Sequence, residues 1–174
     1  MQDSARRHTF AIDWYKEKDI IVDLPNKQGK SRETIRFADE VAFIVLKALA
    51  FDSRNTNKDA GDLVYVLKNG TPDVIAETYS QRLLAGQHVQ ALEDGLKALV
   101  KRFCDDEKID GYEKDGPSKY AIFMGLANAS DDERARVMRD ASGLVTYFVK
   151  EVEKHTNRTF LPAPAQPQAD AAAV

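Results

Sequence analysis

The run of residues 41–51 is apolar at every position except Lys47. Asp39 lies just before this run and is a typical helix N-cap, so the pattern predicts a helix that is apolar on nearly all of its faces. Such a helix has to be covered by other elements. A lysine within it needs a partner or a ligand for its ammonium group, because burying an unpaired charge is costly.

The segments after this run also have helical periodicity, and those before it do not. Further helices are predicted at residues 58–68, 71–84, 89–103, 118–126 and 130–154. Before Asp39, β-prone residues predict two short strands within residues 9–25, separated by a turn at 16–19, and a third strand at 33–37. The expected fold class is α+β, with a small N-terminal antiparallel sheet followed by a helical bundle of five or six helices.

These patterns divide the chain into three parts. A small β region is expected at residues 1–38, a helical domain at 39–156 and a disordered Pro/Ala-rich tail at 157–174. The whole chain of 174 residues is about the length of one domain.

Composition excludes several classes of protein. The net charge is −3, so bulk charge gives no signal for general nucleic-acid binding. Cys104 is the single cysteine, which excludes an internal disulfide framework and fits a reducing compartment. No apolar stretch reaches the roughly 20 residues of a membrane span. A cytoplasmic protein without a membrane association is therefore expected.

Charged side chains are concentrated directly after the apolar run. Lys47, Arg54 and Lys58 are cationic, and Asp59 and Asp62 are three residues apart on one face of a predicted helix. In a structural interpretation, these charges pair with one another and hold two helices together. In a functional interpretation, the cations bind nucleotide phosphates and a carboxylate orients the lysine.

The same residues resemble a known family. Lys47-Ala-Leu-Ala-Phe, Arg54 and Lys58-Asp59-Ala-Gly-Asp62-Leu-Val-Tyr are similar to the C-terminal half of AbiEii/AbiGii toxin-type nucleotidyltransferases, which belong to the DNA polymerase β-like superfamily. This resemblance extends over roughly residues 19–70. It implies catalytic roles for Lys47, Asp59 and Asp62, and nucleotide binding by Lys47, Arg54 and Lys58.

The resemblance also has consequences for residues outside this cluster. It makes Asp23 a candidate for the third carboxylate of such enzymes, and Gly61 stands where the family usually has a bulky residue. The family's glycine-containing loop and Asp-x-Asp strand are not found before Asp13 or Asp23. Mg²⁺ and a nucleoside triphosphate are therefore expected only if a missing half supplies that motif, and the chain alone is expected to be inactive.

Two other functions are open at this point. One is a non-catalytic helical interaction module, in which the charged cluster is structural. The other is a ribonuclease similar to the HEPN family, because Arg82 and His88 have its R-x5-H spacing. If half of a sheet is missing, an exposed sheet edge is expected to bind a partner chain or a second copy.

Overall fold

The structure is a computed structural model that describes residues 10–162. A short helix α1 (Phe10–Asp13) precedes strands β1 (Tyr15–Asp23) and β2 (Lys30–Ala38), which are connected through a 3₁₀ turn (Pro25–Lys27). Six further helices follow: α2 (Glu40–Arg54), α3 (Asn57–Asn69), α4 (Pro72–Leu84), α5 (Val89–Phe103), α6 (Asp115–Phe123) and α7 (Asp131–Thr156). The α+β class, with a small N-terminal antiparallel sheet before a helical bundle, is confirmed.

The sheet differs in detail from the prediction. Within the described residues it has two strands rather than three, and β1 runs without a break through the predicted turn at 16–19. The charged residues of that segment do not break the strand because both faces of a two-stranded ribbon are largely open to solvent. Glu17 pairs across the ribbon with Arg36, and Asp19 accepts a hydrogen bond from Thr34.

The ribbon is amphipathic. Strand residues alternate between faces, so the face with Glu17 and Asp19 is polar, and the opposite face is more apolar. The apolar side chains of that second face are all partly or largely exposed: Ile20, Val22, Ile35 and Phe37. Each strand also has one edge without a partner strand in the described part of the chain.

The core lies among the helices, with α2 at its centre. Ile44, Val45 and Phe51 of α2 are fully or almost fully buried, as the apolar run requires. Asp39 caps α2, because its carboxylate accepts a hydrogen bond from the backbone N–H of Ala42 at 3.0 Å. Among residues 10–162, no helix is both long enough and apolar enough to cross a membrane.

The structure corrects the start of the predicted disordered tail. After α7 the chain turns at Asn157 in a left-handed conformation, and Phe160 and Leu161 pack against the core. Their backbone N–H groups donate to the carboxylate of Glu153. Apolar periodicity could not detect this segment because it is too short to form a repeat. The rest of the predicted tail, residues 163–174, lies outside the described residues.

Candidate functional site

The predicted cluster forms where α2 ends and α3 begins. Asn55 ends α2 in a left-handed conformation (φ 50°), and Thr56 caps the start of α3. Asparagine tolerates this conformation better than most residues, which allows a link of two residues between the helices. Lys47 on α2 is thereby brought next to the first turns of α3.

Asp59 is the buried centre of the cluster, with a side chain only 1% exposed. Arg54 donates to both of its oxygens, from Nε at 2.7 Å and from Nη2 at 2.9 Å. The Thr56 hydroxyl donates to Oδ2 at 2.7 Å, and Lys47 Nζ lies 3.3 Å from Oδ1. The carboxylate is therefore surrounded by donors from α2 and from the link.

Asp62 is the more open of the two carboxylates. Its Oδ2 lies 2.6 Å from Lys47 Nζ and 3.0 Å from Lys58 Nζ. Among the described residues, no hydrogen bond is formed by its other oxygen. Lys47 thus lies between two carboxylates one helical turn apart, and Asp62 is the one that retains acceptor capacity.

The ion pairs keep the carboxylates and the lysine of the cluster charged. Burial by itself would raise the pKa of Asp59, but hydrogen bonds from Arg54, Thr56 and Lys47 outweigh it and lower the pKa to about 2. Burial would lower the pKa of Lys47, yet its bonds to Asp62 and Asp59 raise it above the ordinary value. The cluster therefore has three cations and two carboxylates, an excess of one positive charge.

Two neighbours of the cluster were not predicted from the sequence. Thr56 was not singled out, although a threonine three residues before an acidic residue is a capping signal. Asn57 Oδ1 is buried and has no hydrogen-bond donor within residues 10–162. It is a buried acceptor one residue after Thr56, and a ligand cannot reach it without a local rearrangement.

A ring from another part of the chain fills the space beside Gly61. It is the ring of Phe123, at the end of α6, and a Cβ on Gly61 would lie only 2.4 Å from it. A larger residue at position 61 therefore requires this ring to move. The sequence separation between the two residues hides this relationship from pattern analysis.

Asp23 is not brought to the cluster. It is the last residue of β1, where it lies opposite Lys30 beside the turn, whereas β1 and β2 join the helical part at Tyr15 and Ala38. Nine residues of strand span about 27 Å, and so Asp23 lies at the far end of the ribbon. The structure gives this residue no contact with Lys47, Asp59 or Asp62.

Arg82 and His88 are brought together in a cleft of about 510 Å³, which also contacts Asp13, Trp14 and Gln87. Arg82 donates to both carboxylate oxygens of Asp39, and its guanidinium lies 4.3 Å from the centroid of the Trp14 ring. His88 Nε2 lies 2.7 Å from Asp13 Oδ2. Because the Asp39 and Trp14 contacts hold Arg82, a structural role accounts for its position.

His88 also has an unusual backbone conformation. Its φ of 46° lies in the left-handed region, and it is the N-cap of α5 without a side-chain capping bond. Such conformations are uncommon outside glycine, although asparagine, aspartate and histidine adopt them more often than other residues, and tertiary contacts hold them in place. Here the contacts are to Asp13 and to the edge of the Trp14 ring.

The chemistry of the cluster fits phosphate better than Mg²⁺. Asp59 is fully engaged with donors, and Asp62 is next to two ammonium groups, which repel a divalent cation. In the part of the chain that the structure describes, no three His, Cys, Asp or Glu side chains are grouped in a way that can hold a metal ion. An anionic group next to Arg54 and Lys58 would instead meet two exposed cations.

Comparisons of this chain with protein-family models, with curated proteins and with solved structures find no significant match. A function for this chain is therefore argued from the geometry of the cluster.

Proposed function

We propose that this chain is the nucleotide-binding helical half of a nucleotidyltransferase-like protein of the AbiEii type. The observation that carries the proposal is the position of Lys47, whose ammonium group lies between Asp59 and Asp62 and next to two exposed cations. Lys47, Arg54 and Lys58 bind the phosphates of a nucleoside triphosphate. A carboxylate pair that keeps the lysine charged and oriented is consistent with that role.

The two aspartates have different roles in this proposal. Asp62 lies on the side of the cluster where the ligand binds. Its side chain is 20% exposed, and its Oδ1 accepts no hydrogen bond from the described residues. Asp59 acts through Lys47 and Arg54 as a positioning residue. Asp23 remains a candidate carboxylate only if a missing half of the protein binds beside the ribbon. Transfer itself requires Mg²⁺ held by that half, and the chain alone is inactive.

The test is nucleotide binding by the full chain, measured by calorimetry with each of the four common ribonucleoside triphosphates, with and without Mg²⁺. We expect weak binding that Lys47→Ala abolishes and Lys58→Gln weakens. Lys68→Gln is the matched control, because Lys68 is exposed on the same helix and lies outside the cluster. Absence of heat with every triphosphate would contradict the proposal.

A non-catalytic interaction module is the alternative. It is favoured by one observation, namely that both carboxylates of the cluster are paired with its three cations. The double variant Asp59→Asn, Asp62→Asn distinguishes the two proposals. In a module the variant loses thermal stability whether or not nucleotide is present, whereas in a nucleotide-binding protein it also loses the stabilisation by nucleotide.

A ribonuclease is the third proposal, and the shared cleft of Arg82 and His88 supports it. In that case His88→Ala abolishes cleavage of single-stranded RNA. Cleavage by the purified chain that survives this substitution would rule out a catalytic role for His88.

In each of these proposals, a partner chain binds at the ribbon formed by β1 and β2. We propose that an edge of β1 or β2 pairs with a strand of a partner chain or of a second copy, since neither outer edge has a partner strand in the described residues. Light scattering on wild type and on Ile21→Pro tests this, because proline removes a backbone donor from β1. A mass that does not differ between the two proteins would contradict pairing through β1.

A further inference from the structure

A second cleft lies along α7, away from the charged cluster. It has a volume of about 340 Å³, and it is formed by α7 together with Asp105 and Tyr112 from the segment between α5 and α6. We propose that this cleft binds the phosphate group of a small organic phosphate. The proposal is independent of the nucleotide site proposed above, because no residue is common to the two sites.

Two cations, Arg139 and Lys150, stand at the ends of the cleft. Both contact the cleft, and within residues 10–162 neither forms an ion pair with a carboxylate. They are eleven residues apart on α7, which places them on one face of the helix about 16 Å apart along its axis. An anion bound between them would meet two charges that the described part of the chain does not itself neutralise.

Arg139 is held in place by stacking rather than by a carboxylate. Its guanidinium carbon lies 4.6 Å from the centroid of the Tyr112 ring. A stacked guanidinium retains all five of its N–H donors for a ligand, and Tyr112 limits the conformations that it samples. Such a preorganised arginine matches the oxygens of a phosphate group.

Gly143 leaves the middle of the cleft open. A Cβ at this position would have no heavy atom of the described residues within 4 Å. Glycine in the middle of a 26-residue helix is unfavourable relative to alanine. The neighbouring side chains on this face are small and hydroxylic, Ser142 and Thr146, so the helix surface offers a shallow floor between the two cations.

This cleft differs in its charge from the cleft at Arg82. There, Arg82 is paired with Asp39 and His88 contacts Asp13, so both groups already have a carboxylate partner. Here the carboxylate in the cleft is Asp105, which accepts a hydrogen bond from the backbone N–H of Gly111 at 2.6 Å. The two cations and the one carboxylate that line the cleft sum to one positive charge, while the carboxylates of Asp73 and Glu113 accept hydrogen bonds from the hydroxyls of Tyr147 and Tyr112.

The size and the walls of the cleft indicate the ligand class. Small-molecule sites commonly have volumes of about 300–1,000 Å³, and this cleft is at the lower end of that range. Tyr147 contributes a second aromatic wall, 43% exposed, with its hydroxyl directed to Asp73. A phosphate on a small ring-containing body therefore fits better than inorganic phosphate alone.

The experiment is a titration of the isotope-labelled full chain, followed through its backbone amide resonances. The probes are inorganic phosphate, pyrophosphate and adenosine monophosphate, each at millimolar concentration. We expect the amides of Gly143, Thr146 and Tyr147 to shift, with adenosine monophosphate binding more tightly than inorganic phosphate. Arg139→Gln and Lys150→Gln should each weaken binding about tenfold, as expected for the loss of one charged hydrogen bond.

Two further variants make the result specific. In Gly143→Leu, the leucine side chain occupies the open space of the cleft and should abolish the shifts. Leucine is also a better helix former than glycine, so no loss of thermal stability is expected. Arg134→Gln is the matched control on the same helix, where Arg134 has no ion pair in the described part and lies outside the cleft. The proposal is overturned if these amides do not shift with any probe, or if the shifts persist in Gly143→Leu.

Discussion

Asp59 and Asp62 are three residues apart in the chain, but they differ in burial and in the number of donors that they contact. Asp59 is buried at the helix junction and receives four donor contacts, whereas Asp62 is bound through one oxygen only in the described residues. A buried carboxylate that is fully bound contributes to stability, and an open one is available for a ligand. The structural and the functional interpretation of the cluster therefore apply to different residues.

The pKa of Asp59 predicts an acid-sensitive contribution to stability. The folded-state pKa is about 2, below the unfolded value of 3.8, so this contribution is fully present above about pH 4 and is lost as the pH falls toward 2. The difference corresponds to about 2 kcal/mol in the free energy of unfolding. Urea unfolding at a series of pH values measures it.

The matched comparison for this prediction is Asp59→Asn. The variant should be less stable at neutral pH, and its free energy of unfolding should fall less steeply between pH 4 and 2 than that of wild type. If the two acid profiles run parallel, the Asp59 carboxylate is not stabilised in the way that its contacts indicate.

The sequence was informative about the cluster because its residues are close in the chain. Lys47, Arg54, Lys58, Asp59 and Asp62 occupy two successive helices, and helical periodicity places them at one junction. Asp23 could not be assigned in the same way. Its distance from the cluster depends on the length and direction of the ribbon, and the predicted turn at 16–19 gave the ribbon the wrong shape.

At the scale of elements, β1 and β2 differ from the helices in how much of their surface is covered. Nearly all residues of the ribbon are exposed, whereas α2, α3, α5 and α7 contribute most of the buried side chains. A two-stranded sheet without a covering layer is only marginally stable in water. The ribbon is therefore expected to open more readily than the bundle.

Hydrogen exchange tests this difference. Amides of residues 16–22 should exchange faster, by orders of magnitude, than those of α2 and α5, because opening the ribbon exposes little apolar surface. The cross-strand pairs of Glu17 and Asp19 contribute little, since they are exposed. Equal protection in ribbon and bundle would indicate that another surface covers the ribbon in solution.

Gly61 and Gly143 allow one substitution to be compared in two environments. Alanine at Gly143 has open space and should raise the free energy of unfolding by up to about 1 kcal/mol. Alanine at Gly61 meets the Phe123 ring and should lower it, because loss of that packing outweighs the gain in helix propensity. Thermal unfolding of the two variants gives the signs directly.

The outcome at Gly61 also identifies what Phe123 does. If Gly61→Ala is stabilising, the ring moves away without loss, and its contact with α3 is incidental. If the variant is destabilising, the Phe123 ring has a packing role against α3.

The whole molecule is held together by contacts that the sequence pattern predicts only in part. Some helix starts followed from capping residues, as for Asp39 and Ser130, both of which cap as expected, whereas the helix predicted at 118–126 lies at Asp115–Phe123 and has no side-chain cap. The contacts between elements that are distant in the chain could not be predicted from the sequence. Arg102 joins Asp52 of α2 to Asp115 of α6, and such pairings depend on how the helices are arranged in space.

The segment after α7 contributes to stability through two side chains. A chain shortened after residue 156 should be roughly 2 kcal/mol less stable than one shortened after residue 162, because Phe160 and Leu161 no longer cover the core. Chemical denaturation of the two shortened chains checks this. Glu153→Gln should reproduce part of the loss, since it weakens the acceptor for both backbone donors.

Cys104 has a consequence for how this molecule can be observed. The thiol is fully buried between the end of α5 and α7, and burial raises its pKa to about 11. An alkylating reagent at neutral pH therefore reacts only with molecules in which these helices have separated. Because the chain has no other cysteine, the rate of labelling reports the population of molecules with separated helices, or the rate of separation itself when the reagent reacts faster than the helices close. Labelling of Cys104 therefore follows the separation of these helices without any added probe.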